Sequence, residues 1–478
     1  MPHYRPKMHL PPESAIGRQT SGPLARDLRG YLADNSDVVT TINKPVSIRD
    51  VGALSAQCEG PIVFENIIEH PGFRVCDMLV KHRWSQARAL GVPTRDYLPT
   101  LARRLRMPAR GTRTVEDGPV KAVKMLGADI DWRKLPFTFH KNRDGNPYCT
   151  AMNVIRDPET GFYNSCHAGT QIVGANRGHV SFVTRDSNSI IRKYKERGDE
   201  WMPMAYVIGV PPAYEIVANY SGLHLDIWGE IDMIGTVMDQ DIEVVRCETN
   251  DLLVPAHAEI IVEARVNLKS LQRVGEVTSP SMYYLPHYED VPEVEVTAIT
   301  MRSGRPIVRV HQTTPDTDHQ TLPRLCHEAI LFNRLSEMGL KVRDVRFPTW
   351  GAALSCLIQV DYPWQGFIND ALMMTMGAPW LNTKMVVALS ADTDIDNPAD
   401  VYHAIASRVD PARDIISVAN TRGSLYDPSA SPVDGAYPFR LSGKLGIDAT
   451  IKKRHDVADF ERAWPMNWGN AILSEYLG

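Results

Sequence analysis

No stretch of about 18 uninterrupted apolar residues occurs anywhere in this 478-residue chain, so nothing in it reads as a membrane-spanning helix. The N-terminus carries no apolar signal core either, and the expectation is a cytoplasmic protein. Cysteine is sparse and scattered: seven residues, at 58, 76, 149, 166, 247, 326 and 356, none in a CxxC pair. That pattern excludes a disulfide framework and predicts free thiols. Charge of one sign is also lacking. With 52 Lys+Arg against 57 Asp+Glu the net charge is −5, which excludes a general polyanion-binding surface. The signatures of nucleotide and hydrolytic chemistry are absent as well: no P-loop, no GxGxxG at a strand–helix junction, no HExxH and no GxSxG. No internal repeat or low-complexity tract breaks the chain.

What is present is a soluble globular composition, 43% apolar and 23% charged, long enough for two or three domains. Residues 1–118 read as an α/β domain, with helices at 24–32, 51–58, 84–90 and 94–107 and a buried strand from Pro61. The stretch 119–319 reads as strands and turns forming a sandwich or barrel, with helix only at 187–197, capped by Asp186 or Ser187. Residues 320–455 alternate strand and helix. Helices are predicted at 321–338, 364–376 and 397–408, and strands at 341–347, 353–360, 384–390 and 415–418. The tail 456–478, with Trp464 and Trp468, is too apolar to be loose and reads as docked on protein.

The chemistry concentrates between Tyr148 and Glu276. A β-rich run from Tyr148 turns through Asp157-Pro158 and Gly161 and returns along 162–169. Six polar residues in this stretch serve no obvious local structural purpose. They are Asn164, Ser165, Cys166, His167, Glu230 and Glu276. An amide and a carboxylate from separate elements can hold a hard divalent cation through oxygen, and such an ion sits well beside a phosphate. Structural packing is the competing reading of the same residues. Cys326-His327 and the lone His287 and His403 read as structural. Glu259 and Glu263 read as edge or interface carboxylates.

Several segments, in one order along most of the chain, resemble the UbiD family of decarboxylases. They are 61–67, 71–73, 127–136, 209–212, 248–263, 401–413 and 446–450. The resemblance implies an N-terminal α/β domain, a central split-β-barrel flavin domain and a C-terminal α/β domain used for dimerisation. It also implies prenylated FMN as cofactor, supplied by a flavin prenyltransferase, with a divalent metal, Mn2+, and K+ as a second ion. The substrate would be an aromatic or α,β-unsaturated carboxylic acid. Carried over residue by residue, the family's metal-binding Asn and Glu match Asn164 and Glu230, and its His falls near Ser187 or Asn188. The run Asn164, Ser165, Cys166, Gly169, Thr170 and Gln171 would hold the cofactor. The family's catalytic Glu–Arg–Glu/Asp network is incomplete here. Its first acid matches Glu276, its second falls on Ser281 and its Arg on Gly169. A lysine near the cofactor phosphate is absent around 374–377, with Lys384 as the nearest substitute. His167, on the same strand face as Gly169, is the candidate replacement for the Arg, as acid/base or as cation. The expected activity is non-oxidative decarboxylation in a homodimer or larger homo-oligomer, with Glu276 and His167 catalytic. Two other readings stay open: a UbiD-like subunit that binds no prenylated FMN, structural or part of a hetero-oligomeric carboxylase, and a related flavin enzyme with other chemistry.

Overall fold

Among the described residues, four sheets organise the chain in the computed structural model. The structure describes residues 22–478 apart from 140–144, 183, 221–228, 312–315, 362–364, 379–380, 382, 434–439, 453–454, 464–465, 467–469, 471–475 and 477–478; at 276–277, 285–289 and 365 it describes the backbone alone. The first sheet runs Thr40–Ile42, Ile62–Phe64, Arg74–Asp77 and Ile307–Arg309, so the chain returns to its N-terminal sheet more than two hundred positions later. A small sheet joins Leu253–Pro255, Ile242–Arg246 and Thr112–Val115.

The third sheet is a closed barrel of six strands. In spatial order they are Ile260–Thr278, Trp201–Ile208, Tyr148–Arg156, Tyr163–Ile172, Arg177–Val180 and Tyr284–Met301, and the last pairs back to the first. Val123–Leu126 adds to the outside of Tyr284–Met301. Closure removes the free edges that an open sheet would expose. Helices cover the outside, so the strands are buried on both faces. Cys149, Ala151, Cys166, Ala168, Tyr206 and Val262 fill the interior cluster. Met152, Val154, Ala205, Val207 and Ile261 pack outward with Ala213, Ile216 and Ile234. Burial on both sides erases the alternation of polar and apolar residues that marks a half-exposed strand.

The C-terminal sheet sets Ser355–Val360, Met385–Ser390 and Arg440–Ala449 in parallel. Val342–Arg346 and Ile415–Gly423 flank them antiparallel, and the helices Leu325–Glu337, Gln365–Gly377 and Pro398–Arg408 accompany them. The last helix begins as its sequence predicts. The Asn397 side chain accepts from the Ala399 and Asp400 amides, and Pro398 occupies the first turn.

Several expectations change. Among its described residues the middle region holds the α-helices Arg185–Glu196, Pro212–Val217 and Glu230–Met238, where one was expected. The last is buried nearly all round, so its sequence shows no amphipathic stripe and reads as turn and strand. Thr184, not Asp186 or Ser187, stands at the N-cap of Arg185–Glu196, and its hydroxyl donates to Ser187 Oγ. The strands predicted as short segments near 259–264 and 294–300 belong to a hairpin of 19 and 18 residues. Its bulges around Glu263, Asn267 and Gln272 interrupt the period-2 pattern.

Glu259 and Glu263 are not edge residues. Glu259 takes a bidentate pair from Arg29 at 2.8 Å and the Ile307 amide at 3.0 Å, and Glu263 accepts from the Glu248 and Thr249 amides. Both carboxylates pin distant segments to the barrel: Glu259 the helix Leu28–Asp34 and the strand Ile307–Arg309, Glu263 the turn at 248–249. Cys326 packs with its thiol on the Ile216 carbonyl, and all seven cysteines are free. No helix among the described residues is long and apolar enough to cross a membrane. Trp464 and Trp468 lie outside the described residues.

Candidate active site

The strand Tyr163–Ile172 carries most of the candidate residues, and its pleat sorts them onto two faces. Its register against Tyr148–Arg156 pairs Asn164 with Ile155, Cys166 with Asn153, Ala168 with Ala151 and Thr170 with Cys149. These even positions turn into the barrel. Ser165, His167, Gly169 and Gln171 turn outward, towards Pro212–Val217.

At one end of the barrel interior three polar side chains meet. Asn164 donates through Nδ2 to Glu230 Oε1 at 3.0 Å, and Ser187 Oγ donates to Asn164 Oδ1 at 2.9 Å. The Ser165 amide donates to Glu230 Oε2 at 3.1 Å. Glu230 opens the helix Glu230–Met238, whose N-terminus favours a carboxylate. Gly229 precedes it because the strand backbone comes too close for a side chain: a Cβ there would collide with the Tyr163 carbonyl. Asn164, Ser187 and Glu230 are all buried. Burial holds the Glu230 carboxyl well above the ordinary carboxylate range, and no cationic side chain among the described residues pairs with it. The donor atoms are hard oxygens, Asn164 Oδ1, Ser187 Oγ and the Glu230 carboxylate. That set suits a divalent cation of the magnesium or manganese type.

The structure brings Asn164 and Glu230, 66 positions apart, into hydrogen-bond contact. Of the two positions near which the family's His falls, Ser187 reaches Asn164, whereas Asn188 donates to the Phe182 and Thr184 carbonyls.

On the outer face, His167 meets residues that the sequence did not single out. Asn219 Nδ2 donates to His167 Nδ1 at 3.0 Å and to the Glu215 carbonyl at 2.9 Å. His311 packs edge-on against the His167 ring, 4.9 Å between centroids, and its Nε2 lies 3.2 Å from Glu215 Oε1. Arg309 donates to Glu215 at 3.3 Å and to Asp77 at 2.6 Å, and also binds Asp318. Burial, and then the Asp318 charge, push the Asp77 carboxyl up to about 7. Burial lowers His167 to about 3 and His319 to about 4, so both rings are neutral at pH 7. This corrects one expectation: His167 is not a cation and does not titrate near neutrality.

The cofactor-holding run is also divided. Cys166 and Thr170 face the barrel interior, where Thr170 Oγ1 bonds the Tyr206 hydroxyl at 2.8 Å and burial pushes the Cys166 thiol up to about 11. Ser165, Gly169 and Gln171 face outward. A Cβ at Gly169 would meet nothing within 4 Å, so this face is open where the family pattern has a long side chain. Ser165 Oγ and His167 Nε2 are buried polar atoms with no partner among the described residues, as a face that receives a bound polar group requires. Lys384 is tied to Asp427 at 3.0 Å. Glu276 lies on Ile260–Thr278 beside Gly275, which pairs with His287, but its side chain is outside the described part. Ser281 is buried and bonds Ser279 Oγ at 2.8 Å.

Glu215, Arg309 and His311 had one visible signal. Each is a charged or titratable residue inside an otherwise apolar, buried segment, where such groups are retained only with partners.

Comparison with known proteins agrees with this architecture. The UbiD family model, described as 3-octaprenyl-4-hydroxybenzoate carboxy-lyase Rift-related domain, matches residues 113–315, and the family's C-terminal domain matches 320–449. The anhydromevalonate phosphate decarboxylase of Methanosarcina mazei is 28% identical over 441 residues, covering 92% of this chain and 98% of that protein. The UbiD-class enzyme HmfF from Pelotomaculum thermopropionicum, solved in complex with FMN, superposes with a TM-score of 0.82 at 28% identity, covering 94% of this chain and 100% of that one. An evolved dimeric form of HmfF in complex with prFMN gives 0.80 at 26% identity, covering 95% and 100%.

Proposed function

This chain belongs to the UbiD family of carboxy-lyases, and from that membership we propose that it removes CO₂ from an α,β-unsaturated or aromatic carboxylic acid with prenylated FMN and a divalent metal. The name of the Methanosarcina mazei relative adds a phosphorylated acid, anhydromevalonate phosphate, to the candidate substrates. When bound, the prenylated flavin supplies the electron sink for the departing CO₂. Asn164, Glu230 and Ser187 would hold the ion, Mn2+ in this reading with K+ as a second ion, and Ser165 and His167 would offer their unpartnered groups to what binds on the outer face. Glu276 would return a proton to the carbon that lost CO₂. The bounds 1–118, 119–319, 320–455 and 456–478 are the domain division of this reading. The 320–455 domain would form a homodimer or larger homo-oligomer in the cytoplasm, with a flavin prenyltransferase as supplier of the cofactor.

The observation that carries the proposal is the Glu230 carboxylate, sealed inside the barrel end with an amide on each oxygen and no cationic side chain among the described residues pairing with it. A bound cation would compensate its charge. The test is co-expression with the flavin prenyltransferase, followed by flavin absorbance and manganese content. Glu230→Ala should lose both; full flavin occupancy in that variant would overturn the assignment. CO₂ release on a panel of unsaturated, aromatic and phosphorylated acids then reads the reaction. Glu276→Gln should lower turnover by about 10²–10⁴-fold while flavin stays bound. Unchanged turnover would remove Glu276 from the mechanism.

A further inference from the structure

We infer that His167, Glu215 and His311 form a second cation site on the outer face of the barrel, suited to a divalent first-row transition ion of the zinc type. One ligand atom from each of the three lies within 4.8 Å of the other two. They come from three separate elements: the strand Tyr163–Ile172, the helix Pro212–Val217, and the segment that follows Ile307–Arg309. Tetrahedral ligands about 2.1 Å from an ion sit roughly 3.4 Å apart, so the trio closes on one ion by side-chain rotation of about an ångström.

The donor set is two imidazoles and one carboxylate. Imidazole nitrogen favours zinc and its neighbours, whereas the all-oxygen trio on the inner face favours magnesium or manganese. The surrounding charge points the same way. Arg309 is one guanidinium among three carboxylates, Glu215, Asp77 and Asp318. The groups facing His167 are His311, Glu215, His319 and Arg309, of which Glu215 is the carboxylate, and burial keeps the His167 ring neutral. One supporting contact is in place: Arg309 holds the second oxygen of Glu215.

Asn219 defines what loading requires. Its amide nitrogen donates to both His167 Nδ1 and the Glu215 carbonyl, which leaves the single ring proton on Nε2. An ion at Nε2 needs that lone pair, so the proton moves to Nδ1 and the amide turns to accept it through Oδ1. No proton leaves the ring, and the contact with the Glu215 carbonyl is given up. The site shares its face with the open position at Gly169. If the decarboxylase reading holds, the ion returns a fixed positive charge to the face from which the family's Arg is missing.

The test uses Zn2+ alone, added to chelator-stripped full-length protein and followed by calorimetry and by metal content after dialysis. Wild type should bind a Zn2+ that His311→Gln and His167→Ala each weaken by at least about 10-fold, and that Glu230→Ala leaves in place. Asn219→Asp, which supplies a permanent acceptor for Nδ1–H, should tighten binding by about 10-fold. Circular dichroism and thermal melting of each variant separate lost binding from lost fold. Equal Zn2+ binding by wild type and both histidine variants overturns the site, as does wild-type binding only at millimolar Zn2+. Loss in Glu230→Ala alone places the ion at the oxygen trio instead. Because the readout is Zn2+, absence of flavin or of CO₂ release leaves this result standing.

Discussion

The two faces of the strand Tyr163–Ile172 hold polar clusters built on opposite plans. Inside, Asn164, Ser187 and Glu230 satisfy one another with neutral donors, and the single carboxyl is raised by burial. Outside, His167, Glu215, His311 and Arg309 join a charge network in which burial suppresses the protonation of His167. One face therefore stores an acid that prefers its proton, the other a base that refuses one. Burial sets the direction in both, because it disfavours the charged form: it raises the Glu230 carboxyl against the amides that bond it, and lowers the His167 imidazole against the Glu215 carboxylate beside it.

The largest effect expected from breaking this contrast is at Arg309. Arg309→Met leaves Glu215, Asp77 and Asp318 buried without their cation, and denaturant unfolding should show a loss of about 3–5 kcal/mol. A loss below about 1 kcal/mol would mean that these carboxyls are already protonated and the outer cluster is not a charge network.

The two clusters should also give opposite slopes of stability against pH in metal-free protein. Glu230 binds its proton more tightly folded than unfolded. Its contribution is full below the ordinary carboxylate value of 4.5 and falls as pH rises from there towards its raised value. His167 binds its proton less tightly folded. Its contribution is full above 6.5 and is lost as pH falls from 6.5 towards about 3. Each slope approaches about 1.4 kcal/mol per pH unit at most. Glu230→Gln should flatten the first and His167→Asn the second, with denaturation midpoints measured across pH as the readout. A His167→Asn variant that changes stability only above pH 7 would contradict the neutral ring.

The smallest effect belongs to the open position. Gly169→Ala should alter stability by no more than about 0.5 kcal/mol, since its Cβ meets nothing. A large loss would show that the outer face is closed there.

Much of the framework was legible in the residues. The turn at Asp157–Gly161 forms as Asp-Pro and Gly require, with Gly161 at φ 76°. The helices at Leu325–Glu337 and Pro398–Arg408 fall within a few positions of their predicted spans, because each presents an apolar stripe to a core; Arg83–Ala89 does so too, although all of its residues are buried. The helix Glu230–Met238 escaped, being buried on nearly every side, and so did the length of the hairpin, whose bulges break its alternation.

The site divides in the same way. Strand parity alone put His167 and Gly169 on one face, and the family resemblance named Asn164 and Glu230 together as ligands of one ion. Those are local or pattern properties, carried by the chain itself. What faces His167 is not. Glu215 and His311 stand 96 positions apart, and Asn219 is 52 from His167. Only closure of the barrel, with Pro212–Val217 packed on its outside and Ile307–Arg309 returned to the first sheet, brings them together. Burial then decides their charge states, because the cost of an ion is set by the medium around it rather than by its neighbours in sequence.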